Sequence, residues 1–174
     1  EGIDGFAGCI GSAPPSWIAQ TSADQVVLDG PDAGEVIRYF GLDQDLAAIH
    51  DSFPREDEVL EEAMAYCPGI RLARQPLWEC LATFITSSLK QVAHIRAISL
   101  TLRRSYGIEY QLNGKSFYTY PSPEVMQSVG EDNLRKCALG YRAKSLDLAA
   151  KAIASGEINL SAVEKELSEC DARV

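Results

Sequence analysis

Apolar positions recur along this chain with two periods. Over the first thirty residues they come in short runs, Phe6–Ile10, Ser16–Gln20 and Gln25–Leu28, with β-branched and aromatic members. Turn material at Gly11–Pro15 and Thr21–Asp24 separates them, and the pattern predicts three strands. Strands this short make a poor independent unit and read as the edge of something larger. From Pro31 the period becomes helical. Asp32 with Glu35 three positions on has the form of a capping box, opening a helix through Phe40 that Gly41 stops. Asp45–Asp51 reads as a second short helix. In Glu56–Cys67 the set Leu60, Ala63, Met64, Cys67 falls at i, i+3, i+4, i+7, a stripe predicted to face a core before Pro68-Gly69 ends it.

The longest apolar pattern follows: Leu77, Trp78, Leu81, Phe84, Ile85 and Leu89, with Pro76 suited to the first helical turn. A break at Ser87–Gln91 leads to a helix over Val92–Ser105, with Val92, Ile95, Ile98 and Leu102 predicted inward and Gly107 closing it. Glu109–Leu112, Asn113-Gly114 and Lys115–Tyr118 predict a hairpin on a type I′ turn. Its aromatics, with Tyr120, are read as packing rather than base stacking. Ser122-Pro123-Glu124 combines an N-cap hydroxyl, a proline at N1 and an acid at the positive end of the dipole. Glu131–Ala138 reads as a short helix, and Leu139-Gly140 turns into a helix over Tyr141–Ser155 with the stripe Leu146, Ala149, Ala150, Ile153. Gly156 is its predicted stop. Ser161 with Glu164 predicts a capped last helix.

Composition narrows the class. The chain has 174 residues, 46% hydrophobic and 24% charged, enough for one domain with a core, or a domain with a small appendage. No apolar run approaches the roughly 18 residues of a membrane span, and the acidic start Glu1-Gly2-Ile3-Asp4 lacks the form of a signal peptide. Five scattered cysteines without a C-x-x-C pair (Cys9, Cys67, Cys80, Cys137, Cys170) argue against a disulfide framework or a zinc site, and for a reducing compartment. With only His50 and His94, a histidine-rich metal centre or a Ser-His-Asp triad is not expected; no metal or cofactor is anticipated.

The net charge of −9 hides a division. Residues 1–87 hold four Lys/Arg against fifteen Asp/Glu, residues 88–151 ten against five, and residues 152–174 two against five. The middle of an acidic chain is therefore basic, which permits phosphate contact and is equally compatible with a solvated helical surface.

Four stretches in register carry more than a generic pattern: Tyr39-Phe40-Gly41-Leu42-Asp43 through Ile49; Gln75-Pro76-Leu77-Trp78-Glu79-Cys80-Leu81 leading into Ser87-Ser88; the helix ending Tyr106-Gly107; and Leu139-Gly140-Tyr141-Arg142-Ala143-Lys144. Together they resemble the 8-oxoguanine DNA glycosylase branch of the helix-hairpin-helix DNA glycosylase superfamily, over roughly residues 25–170. The resemblance implies an α+β fold, mainly α. A small antiparallel remnant of an N-terminal β domain (1–30) would precede a multi-helix glycosylase-type bundle (31–174), incomplete at its C-terminus. It implies a DNA N-glycosylase/AP lyase of base excision repair, acting as an intracellular monomer, in bacterial cytoplasm or nucleus, on damaged double-stranded DNA.

Such an enzyme rotates a damaged nucleotide out of the duplex at a cost of a few kcal/mol. It offsets this by inserting a side chain into the gap and gripping the orphaned base. Leu89 matches the family's inserting position and also reads as an ordinary core leucine. Tyr141 and Arg142 match positions that buttress the stack and hydrogen-bond the orphaned base; Arg142 also reads as a solvated first-turn residue. Lys90 would contact phosphate, and Gln91 and Lys144 join the DNA-binding set. His94 would touch base or phosphate, or is a satisfied surface histidine. The family's 8-oxoguanine enzymes carry an Asn run after the two serines and an Arg further on; Leu89-Lys90-Gln91 and His94 stand there instead, and leucine at the turn is nearer to alkylation-repair relatives.

The family's catalytic lysine follows a Gly-rich hairpin, with an aspartate beyond. No Gly-x-Gly hairpin occurs between Ser161 and Val174, and the Gly-containing strand that relatives use for lesion discrimination is also missing. Lys144 and Lys151 do not follow a hairpin and are rejected as nucleophiles. No catalytic residue is therefore expected, and this stretch alone is expected to hold DNA without cleaving it. The competing expectations are a non-catalytic helical interaction domain whose acidic half binds a basic protein partner, and a soluble α-rich domain with no ligand of its own.

Overall fold

The computed structural model describes residues 5–22 and 25–171, with side chains to residue 167. The acidic start Glu1–Asp4, part of the Thr21–Asp24 turn and the Cys170 side chain lie outside the described residues. The fold is α+β and mainly α. Strands β1 (Gly5–Gly8), β2 (Ser16–Gln20) and β3 (Val26–Asp29) form an antiparallel meander in that order, with Phe6 opposite Ile18 and Ile18 opposite Leu28. The chain divides into two compact units: residues 1–31 with 75–174, and Asp32–Arg74.

The Asp32–Arg74 unit holds α1 (Ala33–Tyr39), α2 (Leu46–Asp51) and α3 (Glu58–Tyr66). Each is capped by an aspartate side chain accepting a backbone N–H three residues on: Asp32 from Glu35 at 3.0 Å, Asp45 from Ala48 at 3.1 Å, Asp57 from Leu60 at 3.1 Å. Arg74 ties the unit's end to its start, donating from its backbone to Tyr39 O (2.8 Å) and from Nη1 to Asp43 Oδ2 (2.9 Å). Val36 is the unit's buried large apolar residue. The α3 stripe therefore does not face a closed core. Leu60, Ala63, Met64 and Cys67 line an open, largely apolar cavity of about 510 Å³, walled also by Ile49, Phe53 and Ile70. Three helices of six to nine residues have too little volume to cover both sides of such a stripe.

The second unit carries α4 (Leu77–Ser87), α5 (Val92–Tyr106), the hairpin β4–β5 (Glu109–Leu112, Lys115–Tyr118), α6 (Pro123–Leu134), a π-helical turn (Arg135–Leu139), α7 (Arg142–Ala154) and α8 (Leu160–Asp171). Leu102, Met126, Leu134, Leu139 and Leu146 are fully buried in one cluster with Ala82 and Ile98. Burying each such leucine or methionine stabilises the unit by about 1.5–3 kcal/mol. Tyr120 packs there too, as its reading as a packing aromatic anticipated. Asn113 and Gly114 both have positive φ (51° and 73°), as a type I′ hairpin requires. Gly130 breaks α6 with φ 72°, so Glu131 begins a separate helical stretch.

Several details correct the sequence pattern. Pro76 stands just ahead of α4 as its N-cap residue. The buried face of α4 is Glu79, Ala82 and Thr86, while Phe84 is exposed. The polar Glu79 can turn inward because Arg103 on α5 supplies its counter-charge, which rotates the apolar stripe away from the face hydropathy selects. Val92 is exposed because it opens α5, with no preceding turn to cover it. The last helix is capped by Asn159, whose Oδ1 accepts from Ala162 N at 3.1 Å. Ser161 already lies inside that helix.

The hairpin follows α5 after only Gly107 and Ile108, because Gly107 lets backbone meet backbone. A Cβ there would collide with the Thr119 carbonyl. Ile108 and Thr119 pair on either side of it, Ile108 N donating to Thr119 Oγ1 (2.9 Å) and Thr119 N to Ile108 O (3.0 Å).

Candidate nucleic-acid interface

The link between α4 and α5 is a tight turn. Lys90 N donates to Ser87 O at 3.0 Å. Ser88 has φ −48°, ψ 122°, and Leu89 has φ 54°. This is the pattern of a type II turn, whose third residue ordinarily is glycine because φ must be positive. A leucine held there costs of order 1 kcal/mol or more. The cost is not recovered by burial, since Leu89 is 93% exposed. The alternative of a core leucine ending the α4 stripe is therefore excluded.

Arg142 approaches the same turn from the start of α7. It is 6% exposed. Its Nη2 donates to Ser88 O and its Nη1 to Leu139 O at 3.4 Å. Its Cζ lies 4.4 Å from the centre of the Tyr141 ring, a cation–π distance. The alternative of a solvated arginine is excluded as well. Tyr141 is 60% exposed, presenting one part of its ring to Arg142 and leaving much of the rest to solvent. The carbonyl of Leu139 is available because Ala138 (φ 61°) and Gly140 (φ 60°) both adopt left-handed backbone, ending the π-helical turn.

Leu89, Tyr141 and Arg142, 52 or more positions apart in part of the set, thus meet at one rim of the α4–α5 link and the α7 N-terminus. Lys90 and Gln91 lie on the same link, both exposed; Gln91 is the N-cap residue of α5. His94 and Lys144 are exposed in the first turns of α5 and α7. Neither is joined to the link by a side-chain hydrogen bond among the described residues. The sequence did not disclose the carbonyls of Ser88 and Leu139 as partners of Arg142. Backbone acceptors have no residue-type signal; the Leu139-Gly140 turn was the available hint.

A separate charged cluster lies in the same unit. Glu79 pairs with Arg103, which also donates to Tyr118 O (3.1 Å) and sits 5.1 Å from the Tyr120 ring centre. Burial pushes the Glu79 carboxyl above the ordinary glutamate value, with Arg103 pulling it partly back. Burial likewise raises the Cys9 thiol, against a smaller lowering by Arg103. A cavity of about 300 Å³ beside Cys9 and Arg103 opens here. Among the described residues, no three His, Cys, Asp or Glu side chains gather as metal ligands, and no helix is long and apolar enough to cross a membrane.

Residues 21–81 match the family model for the 8-oxoguanine DNA glycosylase N-terminal domain. Over 140 residues the chain is 29% identical to the N-glycosylase/DNA lyase OGG1 of Arabidopsis thaliana, covering 77% of this chain and 38% of that protein. A solved structure of MBOgg1 in complex with a low-affinity DNA ligand is 31% identical, with a TM-score of 0.80 over 90% of this chain and 54% of that one. The Clostridium acetobutylicum 8-oxoguanine glycosylase/lyase, solved with double-stranded DNA containing cytosine opposite 8-oxoG, is 25% identical. Its TM-score is 0.81 over 92% of this chain and 56% of its own. The chain thus spans from under two fifths to just over half the length of these relatives.

Proposed function

From the premise that this chain belongs to the 8-oxoguanine DNA glycosylase branch of the helix-hairpin-helix DNA glycosylase superfamily, we propose that it is the DNA-gripping part of an N-glycosylase/AP lyase of base excision repair. It works inside the cell, as a monomer on damaged double-stranded DNA. The β-strands of 1–30 stand for the end of the family's β domain, and 31–174 for its helical glycosylase domain. The observation carrying this reading is Leu89: a large apolar side chain held almost wholly in solvent, on strained backbone, anchored from behind by a buried arginine. Strain and exposure together have no folding benefit, but they are what a wedge into a base stack needs.

In this reading Leu89 enters the emptied base position and Tyr141 supports the adjoining stack. Arg142 backs the link beside the orphaned base, its fork holding the carbonyls of Leu139 and of Ser88, from which Leu89 projects. Lys90 and Lys144 neutralise phosphate, and Gln91 and His94 border the same groove. The family resemblance implies a Schiff-base lysine that follows a Gly-rich hairpin. No lysine of residues 1–174 has that setting, so these residues provide recognition and the chemistry is not assigned to them.

The test is a fluorescence titration with a duplex carrying a tetrahydrofuran abasic site against the same duplex intact. Leu89→Ala should weaken abasic binding about tenfold and leave intact-duplex binding nearly unchanged. Lys90→Ala should weaken both alike and reduce the salt slope by about 1. Equal affinity for the two duplexes, indifferent to Leu89, would remove the reading. A second reading, docking of a basic protein partner, is favoured by the apolar cavity of Asp32–Arg74, a unit with four Lys/Arg against ten Asp/Glu. It requires that Met64→Lys abolish capture of an amphipathic lysine-rich peptide at a salt concentration where DNA binding is untouched.

A further inference from the structure

Type I and type II turns differ chiefly in the orientation of the peptide joining their two central residues. Here that peptide joins Ser88 to Leu89. In the type II form the Ser88 carbonyl points one way and Leu89 takes positive φ; in the type I form the carbonyl reverses and φ of Leu89 becomes negative, the region a leucine prefers. Left to itself, a Ser-Leu pair should therefore relax to type I. The Ser88 carbonyl cannot reverse in this structure without losing Arg142, whose Nη2 is bonded to it. Nor is Arg142 free to follow. Its other terminal nitrogen is held by Leu139 O, its Nε is buried without a hydrogen-bond partner, and its guanidinium lies near the Tyr141 ring.

We propose that Arg142 is a positioning residue that latches the Ser88–Leu89 peptide in its type II orientation, and so sets the direction in which Leu89 leaves the surface. The functional consequence rests on the reading of Leu89 as a wedge; the latch itself does not. A buried guanidinium gives up hydration, and the unpartnered Nε adds to that cost, so the bonds of Nη1 and Nη2 to two carbonyls are what hold it there. A carbonyl whose direction selects the conformation of its neighbour turns those bonds into a geometric specification. Lysine cannot substitute, because a single ammonium lacks the planar fork that spans the Ser88 and Leu139 carbonyls together.

Two measurements test the latch. The first needs no DNA. In isotope-labelled protein, a type II turn gives a strong cross-peak between Ser88 Hα and the Leu89 amide proton; a type I turn replaces it with one between the two amide protons. The wild type should show the first pattern, and Arg142→Lys and Arg142→Gln the second, whereas Leu89→Gly with Arg142→Gln should retain the first because glycine accepts positive φ freely. An unchanged pattern in Arg142→Lys and Arg142→Gln would overturn the latch. Should these variants lose their near-ultraviolet circular dichroism, slowed exchange of the wild-type Arg142 Nη hydrogens decides instead: exchange as fast as that of a solvated arginine overturns it.

The second measurement is a double-mutant cycle on the abasic duplex. Arg142→Lys should cost about tenfold with Leu89 present, but no more than about twofold in the Leu89→Ala background. Multiplicative losses would mean that Arg142 acts on DNA independently of Leu89 and would overturn the positioning role. If Leu89→Ala has no effect, the wedge reading fails, while the cross-peak still decides the latch.

Discussion

Helices α3 of Asp32–Arg74 and α7 of the second unit carry apolar stripes of the same period, yet only α7 has its stripe closed over. In α7 the stripe ends fully buried at Leu146 and Ala150. In α3 the equivalent residues line an open cavity, and Tyr66, Ile70 and Leu72 around it are 87%, 68% and 83% exposed. The charges divide in the same way. Glu79–Arg103 is a buried pair, with side chains 10% and 16% exposed, whereas Arg55–Asp51 in the smaller unit joins side chains 82% and 77% exposed. Periodicity thus reports which residues share a face. Whether that face is covered depends on how much chain packs against it.

The largest test of this contrast is truncation. Leu146→Ala should cost about 2–5 kcal/mol in urea denaturation, because transfer and cavity terms add in a closed core. Met64→Ala should cost less than about 1 kcal/mol, since the stripe it leaves is already open. Equal losses would mean that the α3 stripe is covered in solution.

A smaller effect should follow pH. Glu79 holds its proton more tightly folded than unfolded. Its contribution to stability is therefore fully present below the ordinary carboxylate range and is lost as pH rises through the raised value. Measured from about pH 4 to about pH 7, the stability difference should move in favour of Glu79→Gln. A difference that stays flat would show that Arg103 balances the burial completely. Smallest of all, Asp51→Asn should change stability by less than about 0.5 kcal/mol, because the Arg55 partner is exposed and screened.

The elements were largely legible because their punctuation is local. Asp32, Ser122, Asn113-Gly114 and Gly156 each act within three or four residues of chain, and each stands where its chemistry predicts. Burial was less legible. Glu79 turns inward on the strength of a counter-charge 24 positions away, and hydropathy assigns that face to solvent. The rim was legible as residue types, Leu89, Tyr141 and Arg142, through the family resemblance. Its construction was not, because the left-handed turn at a leucine and the carbonyls that hold Arg142 belong to backbone geometry. The Asn159 cap escaped for a different reason: Ser161 and Glu164 have the same local form two positions later, and the stop at Gly156 left room for either.

Gly107 sets a limit of another kind. Where α5 hands over to the hairpin, two peptide planes touch, and a lone hydrogen is all that separates them. Side chains along Glu109–Leu112 and Lys115–Tyr118 can trade bulk with one another, but this joint has no bulk to trade. Any methyl added there must prise the ribbon off the helix, carrying with it the Tyr118 carbonyl that steadies Arg103 and, through Arg103, the buried carboxyl of Glu79.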